Sequence, residues 1–361
     1  MDFQLTRKKK PTAVAGLDIG AGSVAATELS VNGTVQVAGS AIAPLPPDVF
    51  HEGEVLDADA LASALKSLFN EHKLSKRVRL GIGNQQVVVR TVRLPAIEDP
   101  KEMEAAVRFQ AQEQIPMPLD QAVLEHQVVG GVPAEEGAAP QVDVVVVAAR
   151  REMISSFLDA SRRAGLEPAG IDLSAFAMIR ALADGTATGP VQPGESPSEA
   201  VLYCDVGDIT NLAVARGRSC LFTRVSHAGF EAVSARLAAA TGLTPEHSFQ
   251  WLSYVGLEQP LETIEGDPTI VAEARESLEE GVASLLDEMR LSLDYYGAQE
   301  AALPVRQIVL SGAGSAIPGL APAMEERLGT PIGVARPAGL AGFDDAAAAR
   351  LTLSYGLALE G

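Results

Sequence analysis

Two stretches of this chain share one pattern: AVAGLDIGAGSVAATELSVNGTVQVAGSA at residues 13–41 and VLYCDVGDITNLAVARGRSCLFTRV at residues 201–225. In each, an apolar run ends in Asp-x-Gly, at Asp18 and at Asp205. Alternating apolar and polar residues then follow, interrupted by turn residues, which is the pattern of a β-meander. Two similar meanders in one chain predict a duplicated α/β fold with a cleft between its halves.

The composition excludes several classes of protein. The 361 residues are 47% hydrophobic and carry 28 basic against 47 acidic side chains, for a net charge of −19. Such a chain can build packed cores in two or three domains. The acidic surplus argues against a nucleic-acid binder, which needs clustered Lys and Arg. No apolar run reaches the ~20 residues of a membrane-spanning helix. Two cysteines, Cys204 and Cys220, make no disulfide framework, which favours the reducing cytoplasm.

The region between the meanders predicts a helix and a separate block. Asp57 or Asp59 can cap a helix over residues 58–73. Residues 81–169 then read as a β-α-β-β-α unit, in which IPMP ends a helix over Pro100–Gln114. The other predicted elements are strands at 78–83, 87–94, 123–129 and 142–149 and a helix at 151–164.

The second half is predicted to be mainly helical after its meander. A stretch rich in Gly, Pro, Ser and Thr at residues 184–198 reads as a linker before it. Residues 305–319 predict a strand, a Gly-rich turn and a helix that starts near Pro318. The predicted helices lie at 230–241, 245–255 and 269–297.

An Asp-x-Gly turn after a buried strand can serve phosphate binding. Gly lets the backbone approach a phosphate, and the N–H groups of the turn point at its oxygens. The Asp can hold the waters around a Mg²⁺ ion that neutralises the phosphate. One such turn is usually only a turn, but two are followed here by IVLSGAGSAIPGL at 308–320. In that third turn, Gly312 and Gly314 could present flat backbone to an adenine or ribose.

The order phosphate turn, phosphate turn, adenosine turn is that of the superfamily of actin, heat-shock chaperones and sugar kinases. Within it the chain resembles the PilM family, cytoplasmic actin-like proteins of type IV pilus assembly that are related to FtsA. The resemblance spans residues 12–361. The motifs that carry it are MEAAVRFQAQEQIPMPLDQAVLEHQVVG at 103–130, EMRLSLDYY at 288–296 and LSYGLALEG at 353–361.

The resemblance implies an α/β, actin-like fold, that is, a duplicated ribonuclease-H-like fold with two lobes and an FtsA-type 1C subdomain. It also divides the chain. The implied parts are a flexible N-terminal tail at 1–11, subdomain 1A at 12–80 with 170–183, subdomain 1C at 81–169, the linker at 184–198, subdomain 2A at 199–229 with 302–345, subdomain 2B at 230–301, and a return to 1A at 346–361.

By the same resemblance, ATP with Mg²⁺ would lie between the lobes. Asp18 and Asp205 would hold the Mg²⁺ through water. The phosphates would lie against Asp18, Gly20, Ala21, Gly22 and Ser23 on one side and Asp205, Gly207, Asp208, Thr210 and Asn211 on the other. The adenosine would lie against Gly312, Ala313, Gly314 and Ile317.

The chain departs from the family pattern within this site. Ala25 stands where many relatives carry Lys, and Asp208 stands where a small residue is usual. Phe249 and Leu252 stand where relatives often show Glu and Lys. The second turn is also one residue shorter than D-x-G-x-x-x-T-N-L. Because a carboxylate beside a phosphate repels it unless a metal intervenes, we expect weak nucleotide binding and at most weak ATP hydrolysis.

The resemblance implies a cytoplasmic scaffold of type IV pilus or related secretion machinery, held at the inner face of the plasma membrane by its partners. It would dock the tail of a PilN-like bitopic membrane protein in a groove between 1A and 1C, and meet other inner-membrane pilus components. ATP and Mg²⁺ would be a structural or conformational ligand. The alternatives are a small-molecule kinase, for which no motif supplies the base, and an FtsA-like filament former. FtsA proteins usually end in a basic amphipathic helix, unlike LTLSYGLALEG.

Overall fold

The computed structural model describes residues 13–31, 33–132, 139–185, 199–299 and 302–359. The predicted tail at 1–11, Asn32 of the first predicted hairpin turn and residues 186–198 of the predicted linker lie outside these ranges. Within them, no helix combines the length and the apolar character that crossing a membrane requires.

The strands of the described residues form two large sheets, one small sheet and a short hairpin. In chain order they are β1 (Ala15–Ile19), β2 (Ser23–Val31), β3 (Val35–Pro44), β4 (Phe50–His51), β5 (Glu54–Val55), β6 (Arg77–Ile82), β7 (Val88–Pro95), β8 (Ala122–Val132), β9 (Gln141–Arg150), β10 (Glu167–Leu173), β11 (Ala200–Val206), β12 (Thr210–Arg216), β13 (Ser219–Ser226), β14 (Val305–Ser311) and β15 (Ile332–Val334).

The helices that were predicted start and end close to the expected positions, and two further helices, at Ser174–Leu182 and Asp345–Ala358, were not predicted. Asp57 rather than Asp59 caps the first, since its carboxylate accepts from the N–H groups of Asp59 and Ala60. The helix that was predicted to start near Pro318 starts at Leu320, after a 3₁₀ turn at Ala313–Ala316. The helices are α1 (Ala58–Glu71), α2 (Pro100–Gln114), α3 (Arg151–Arg163), α4 (Ser174–Leu182), α5 (Phe230–Thr241), α6 (Pro245–Val255), α7 (Pro268–Gly297), α8 (Leu320–Leu328) and α9 (Asp345–Ala358).

The two large sheets have the same topology. The first has the order β10-β6-β1-β2-β3 and the second has the order β15-β14-β11-β12-β13. In each, an antiparallel meander supplies one side, and two later strands are added in parallel on the other side. The predicted duplication of the meander is therefore confirmed. We call the first sheet with α1 and α3 the first lobe, and the second sheet with α5 to α8 the second lobe.

Helices α4 and α9 lie between the sheets. Along β11, alternate residues face opposite ways, as a strand requires. Leu202 and Cys204 join the core of the second lobe, while Val201 and Tyr203 pack against Met178 of α4. On the first lobe, α9 covers the inner face of β2, where Leu351 and Tyr355 surround Ala25, Leu340 and Ala348.

Helix α9 approaches its neighbours closely because glycine stands at the contacts. A Cβ atom on Gly16 of β1 would lie 2.0 Å from the Ser354 carbonyl oxygen. One on Gly356 would lie 2.0 Å from the carbonyl oxygen of Ala177 on α4. The hydroxyls of Thr27 and Ser354 also form a buried hydrogen bond of 2.7 Å. The position of α9 is thus fixed against both β1 and α4.

The block of residues 81–169 contains the small sheet, in the order β7-β9-β8. One face of this sheet packs on α2, where Val107 and Ala111 meet Val92, Val144 and Val146. The other face, with Val89, Val147 and Ala149, packs on the core of the first lobe. The strand β8 is left at an edge of the small sheet.

Candidate functional site

The three turns that the sequence singled out meet at one cleft between the lobes. The first lies between β1 and β2, the second lies between β11 and β12, and the third follows β14. The N–H of Ala21 in the first turn donates to Asp208 Oδ2 in the second, over 2.7 Å. A Cβ atom on Gly312 in the third turn would lie 2.9 Å from Asp205 Oδ1. The structure therefore brings the predicted site residues together.

A cation that the sequence analysis missed enters the first turn from α9. Arg350 donates through Nη1 to Asp18 Oδ2, through Nε to Ser23 Oγ over 2.7 Å, and through Nη2 to the Ser23 carbonyl oxygen over 2.7 Å. The Arg350 and Asp18 side chains are only 16% and 10% exposed. The fully buried Ala25 lies against α9, so the missing Lys has no space there, and Arg350 brings positive charge from α9 instead. In the sequence, Arg350 is marked only as the single Arg within AAAARLTLSYG at 346–356.

The second turn is held by the start of α5. The N–H of Phe230 donates to the Gly207 carbonyl over 2.9 Å, and that of Glu231 donates to the Asp208 carbonyl over 3.3 Å. These are among the first amides of a helix, which lack partners inside it and attract anions. In this chain they bind the turn, and thereby aim the Asp208 side chain at the first lobe. A Cβ atom on Gly20 would lie 2.4 Å from Asp208 Oδ2, so the carboxylate can take this position only because residue 20 has no side chain.

Asp205 lies at the bottom of the cleft and is buried. Burial, followed by the nearby Asp18 carboxylate, raises the pKa of Asp205 to about 7. The Ser311 hydroxyl donates to its Oδ1 over 3.0 Å. Within the described residues, no three His, Cys, Asp or Glu side chains are grouped so as to hold a metal ion.

Aromatic side chains cover the third turn. A Cβ atom on Gly314 would lie 2.4 Å from Cε2 of Phe230, so the ring lies directly on the glycine. Phe249 meets Phe230 edge to face, with ring centroids 6.3 Å apart. Ile317 and Leu252 are buried. The backbone that was predicted to lie against adenosine is thus packed against the protein itself.

The remaining predicted site residues differ in their surroundings, and Asn211 Oδ1 is buried without a hydrogen-bond partner. Gly22 is exposed, and Ala313 begins the 3₁₀ turn. The Thr210 hydroxyl donates to the Ala228 carbonyl over 2.6 Å. Asn211 is buried between the lobes, where a Cβ atom on Gly83 would lie 2.5 Å from its Oδ1.

In this conformation the residues of the cleft do not fit a Mg²⁺-nucleotide. The amide of the first turn is bonded to Asp208. Asp18, the other predicted Mg²⁺ anchor, is paired with Arg350. The adenosine face at Gly314 is covered by Phe230. The contact between Asp208 and the first turn can instead hold the two lobes together without a ligand.

Two crossed His–Glu pairs join the lobes at the rim of the cleft. His51 of β4 contacts Glu231 of α5 through Nδ1 and Oε1, 2.7 Å apart. His227, which follows β13, contacts Glu52 through Nδ1 and Oε1, 3.0 Å apart. The hydrogen bond to Glu231 raises the pKa of His51 above its ordinary value of 6.5. In the sequence the histidines stand singly, and only the fold pairs them.

We expect the His51–Glu231 ion pair to stabilise the fold more at acidic pH than at alkaline pH. Because the folded-state pKa of His51 is raised, its ion pair contributes stability fully below the unfolded-state pKa and loses it as the pH rises through the folded-state value. The pair is half exposed, so the effect should stay below about 1 kcal/mol. Urea unfolding of wild type and His51→Gln should differ more at about pH 5.5 than at about pH 8. In a Glu231→Gln background that pH-dependent difference should shrink to the part due to Glu52, whose Oε1 lies 3.9 Å from His51 Nε2. A difference as large as in the wild-type background would contradict the pairing.

Comparison with known proteins identifies the family. The model of the PilM type IV pilus assembly protein family matches residues 16–254. A solved PilM–PilN type IV pilus biogenesis complex is 26% identical, with a TM-score of 0.78 over 96% of this chain and 98% of that one. EutJ of Carboxydothermus hydrogenoformans (15% identical, TM-score 0.54, 98% and 91% covered) and AMPPNP-bound MreB 5 of Spiroplasma citri (12%, 0.51, 96% and 95%) share the fold. The chain has the two-lobed actin-like fold and belongs to the PilM family of type IV pilus assembly proteins.

Proposed function

We propose that the chain is a cytoplasmic scaffold of type IV pilus or related secretion machinery. It docks the cytoplasmic tail of a PilN-like bitopic membrane protein, and its partners hold it at the inner face of the membrane. The observation that carries this proposal is the likeness to the PilM–PilN complex, which extends over 96% of the chain at 26% identity. The kinase and filament alternatives gain no support from a specific contact among the described residues.

We place the docking surface in the block of residues 81–169. Its edge strand β8 exposes Val128 and Val129, which are 48% and 49% accessible. An extended peptide can add to such an edge through main-chain hydrogen bonds while its side chains contact the apolar residues. The net charge of −19 favours a tail with basic residues around apolar anchors, mainly through the rate of association. A short peptide loses much freedom on docking, so micromolar affinity is expected.

The test is titration of a synthetic tail of the membrane partner into the full chain. Val128→Asp combined with Val129→Asp should weaken binding about tenfold or more, because it places charges on the apolar contact. Val31→Asp is the matched control, since Val31 is also an exposed strand valine, 73% accessible, but belongs to the first sheet. Equal binding by all three proteins would remove β8 from the docking surface. Failure of the wild type to bind an authentic tail would refute the proposed function.

ATP with Mg²⁺ as a structural ligand remains a prediction from the sequence. MreB 5, which shares the fold, was solved with AMPPNP, and this supports nucleotide binding as a property to test in this chain. The contacts of Asp208, Arg350 and Phe230 oppose it in the conformation described. The proposed docking therefore relies on the scaffold alone, and we expect no more than weak ATP hydrolysis.

A further inference from the structure

We infer that Asp208 is a latch between the lobes: its carboxylate takes the place of a bound anion at the first turn, and the cleft closes without nucleotide. This inference is independent of partner docking.

The contact has the geometry of an anion site that is filled from within. Asp208 Oδ2 accepts from the Ala21 N–H over 2.7 Å, although the two residues are 187 positions apart and belong to different lobes. A carboxylate makes charge-assisted hydrogen bonds to turn amides, as a phosphate oxygen does. The close approach to Gly20 leaves no space for a second anion between the carboxylate and the turn.

The surrounding charges permit this approach. Asp18 and Asp205 lie in the same cleft and would repel a third carboxylate if all three were fully charged. Arg350 pairs with Asp18, and the Ser311 hydroxyl donates to Asp205 Oδ1 over 3.0 Å, so that each neighbouring carboxylate has a partner of its own. A cation from α9 thus offsets one of the two neighbouring charges.

The backbone behind the latch is bonded to the start of α5. The Asp208 carbonyl accepts from the Glu231 N–H, and the side chain of Glu231 reaches across the rim to His51. A Cβ atom on Gly229 would lie 2.2 Å from the Asp208 carbonyl oxygen, so the turn is pressed against the start of α5. The latch and one rim pair therefore depend on the same first turn of one helix.

Hydrogen exchange of the Ala21 amide, followed by NMR in the full chain, tests the latch. In wild type this amide should be protected without ligand, and millimolar MgATP should not change it. Asp208→Ala should speed its exchange about tenfold or more, because the amide loses a charged acceptor. Asp208→Asn keeps an oxygen at the same place and should retain part of the protection. The amide of Leu65, in the core of the first lobe, reports global unfolding and should be unchanged.

A pair of glycine variants tests the same contact without touching Asp208. Gly20→Ala places a methyl group 2.4 Å from the position of Asp208 Oδ2 and should displace it, with the same rise in Ala21 exchange. Gly22→Ala lies in the same turn but meets nothing within 4 Å, so it should leave exchange unchanged.

Two results would overturn the inference. One is Ala21 exchange that stays at the wild-type rate in both Asp208→Ala and Gly20→Ala. The other is a wild-type Ala21 amide that is protected only when MgATP is present, since nucleotide would then close the lobes. No partner tail is used, so failure here leaves the docking proposal standing, and failure of docking leaves the latch standing.

Discussion

Arg350→Met is expected to lower the free energy of unfolding by about 3–5 kcal/mol, because it leaves the Asp18 carboxylate buried without its cation. The Asp18 side chain is 10% exposed and that of Arg350 is 16% exposed, so water cannot replace the lost partner. Met keeps much of the volume of the Arg stem, which limits the loss of packing. Urea unfolding at neutral pH measures the change.

Two further variants show whether the buried charge is the cause. Asp18→Asn combined with Arg350→Met removes both charges and should recover a large part of the lost stability. Arg336→Met is the matched control, because Arg336 pairs with Asp345 at the exposed start of α9, where the carboxylate is 74% accessible. Its loss should stay below about 1 kcal/mol. Equal losses for Arg350→Met and Arg336→Met would contradict the importance that we give to the buried pair.

Gly356→Ala is expected to destabilise the protein by about 1–3 kcal/mol, although alanine normally favours a helix. The new methyl group would lie 2.0 Å from the Ala177 carbonyl oxygen, and backbone on both sides cannot turn away as a side chain can. Helices α4 and α9 would have to separate. Thermal unfolding followed by circular dichroism measures the effect.

Gly297→Ala provides the control for helix propensity. Gly297 is the last residue of α7, and a Cβ atom there would meet nothing within 4 Å. This change should be neutral or slightly stabilising. If both glycine variants behaved alike, close packing of α9 on α4 would not limit stability.

Local pattern was sufficient to predict the elements with one buried face. The helices α2 and α5 were predicted with the bounds that the structure has. Helix α9 was not predicted, because it is buried nearly all round and has no polar face to set a helical period. The strand β10 was also missed; it contains Pro168, which pattern reasoning counts against a strand.

The site residues, too, were predictable only where their sequence signal is local. The three turns were found because Asp and Gly follow apolar strands, which is a local signal. What each turn contacts was not predictable, because Asp208, Phe230 and Arg350 act on residues far away in the chain. Asp208 was expected to repel a phosphate, and the spacing of residues gave no indication that its carboxylate reaches the amide of Ala21.

The position of α9 near the end of the sequence also determines when the first lobe can complete its packing during synthesis. Asp18 leaves the ribosome 332 residues before Arg350, which at ordinary rates of synthesis is a delay of roughly 20–60 s. During that interval β1 and β2 have no helix on their inner face, and the first turn has no cation. The first lobe therefore cannot reach its final packing while it is being made, and it exposes apolar strand surface that a chaperone can bind. Destabilising substitutions in residues 345–358 should therefore lower the amount of folded protein that accumulates in the cell.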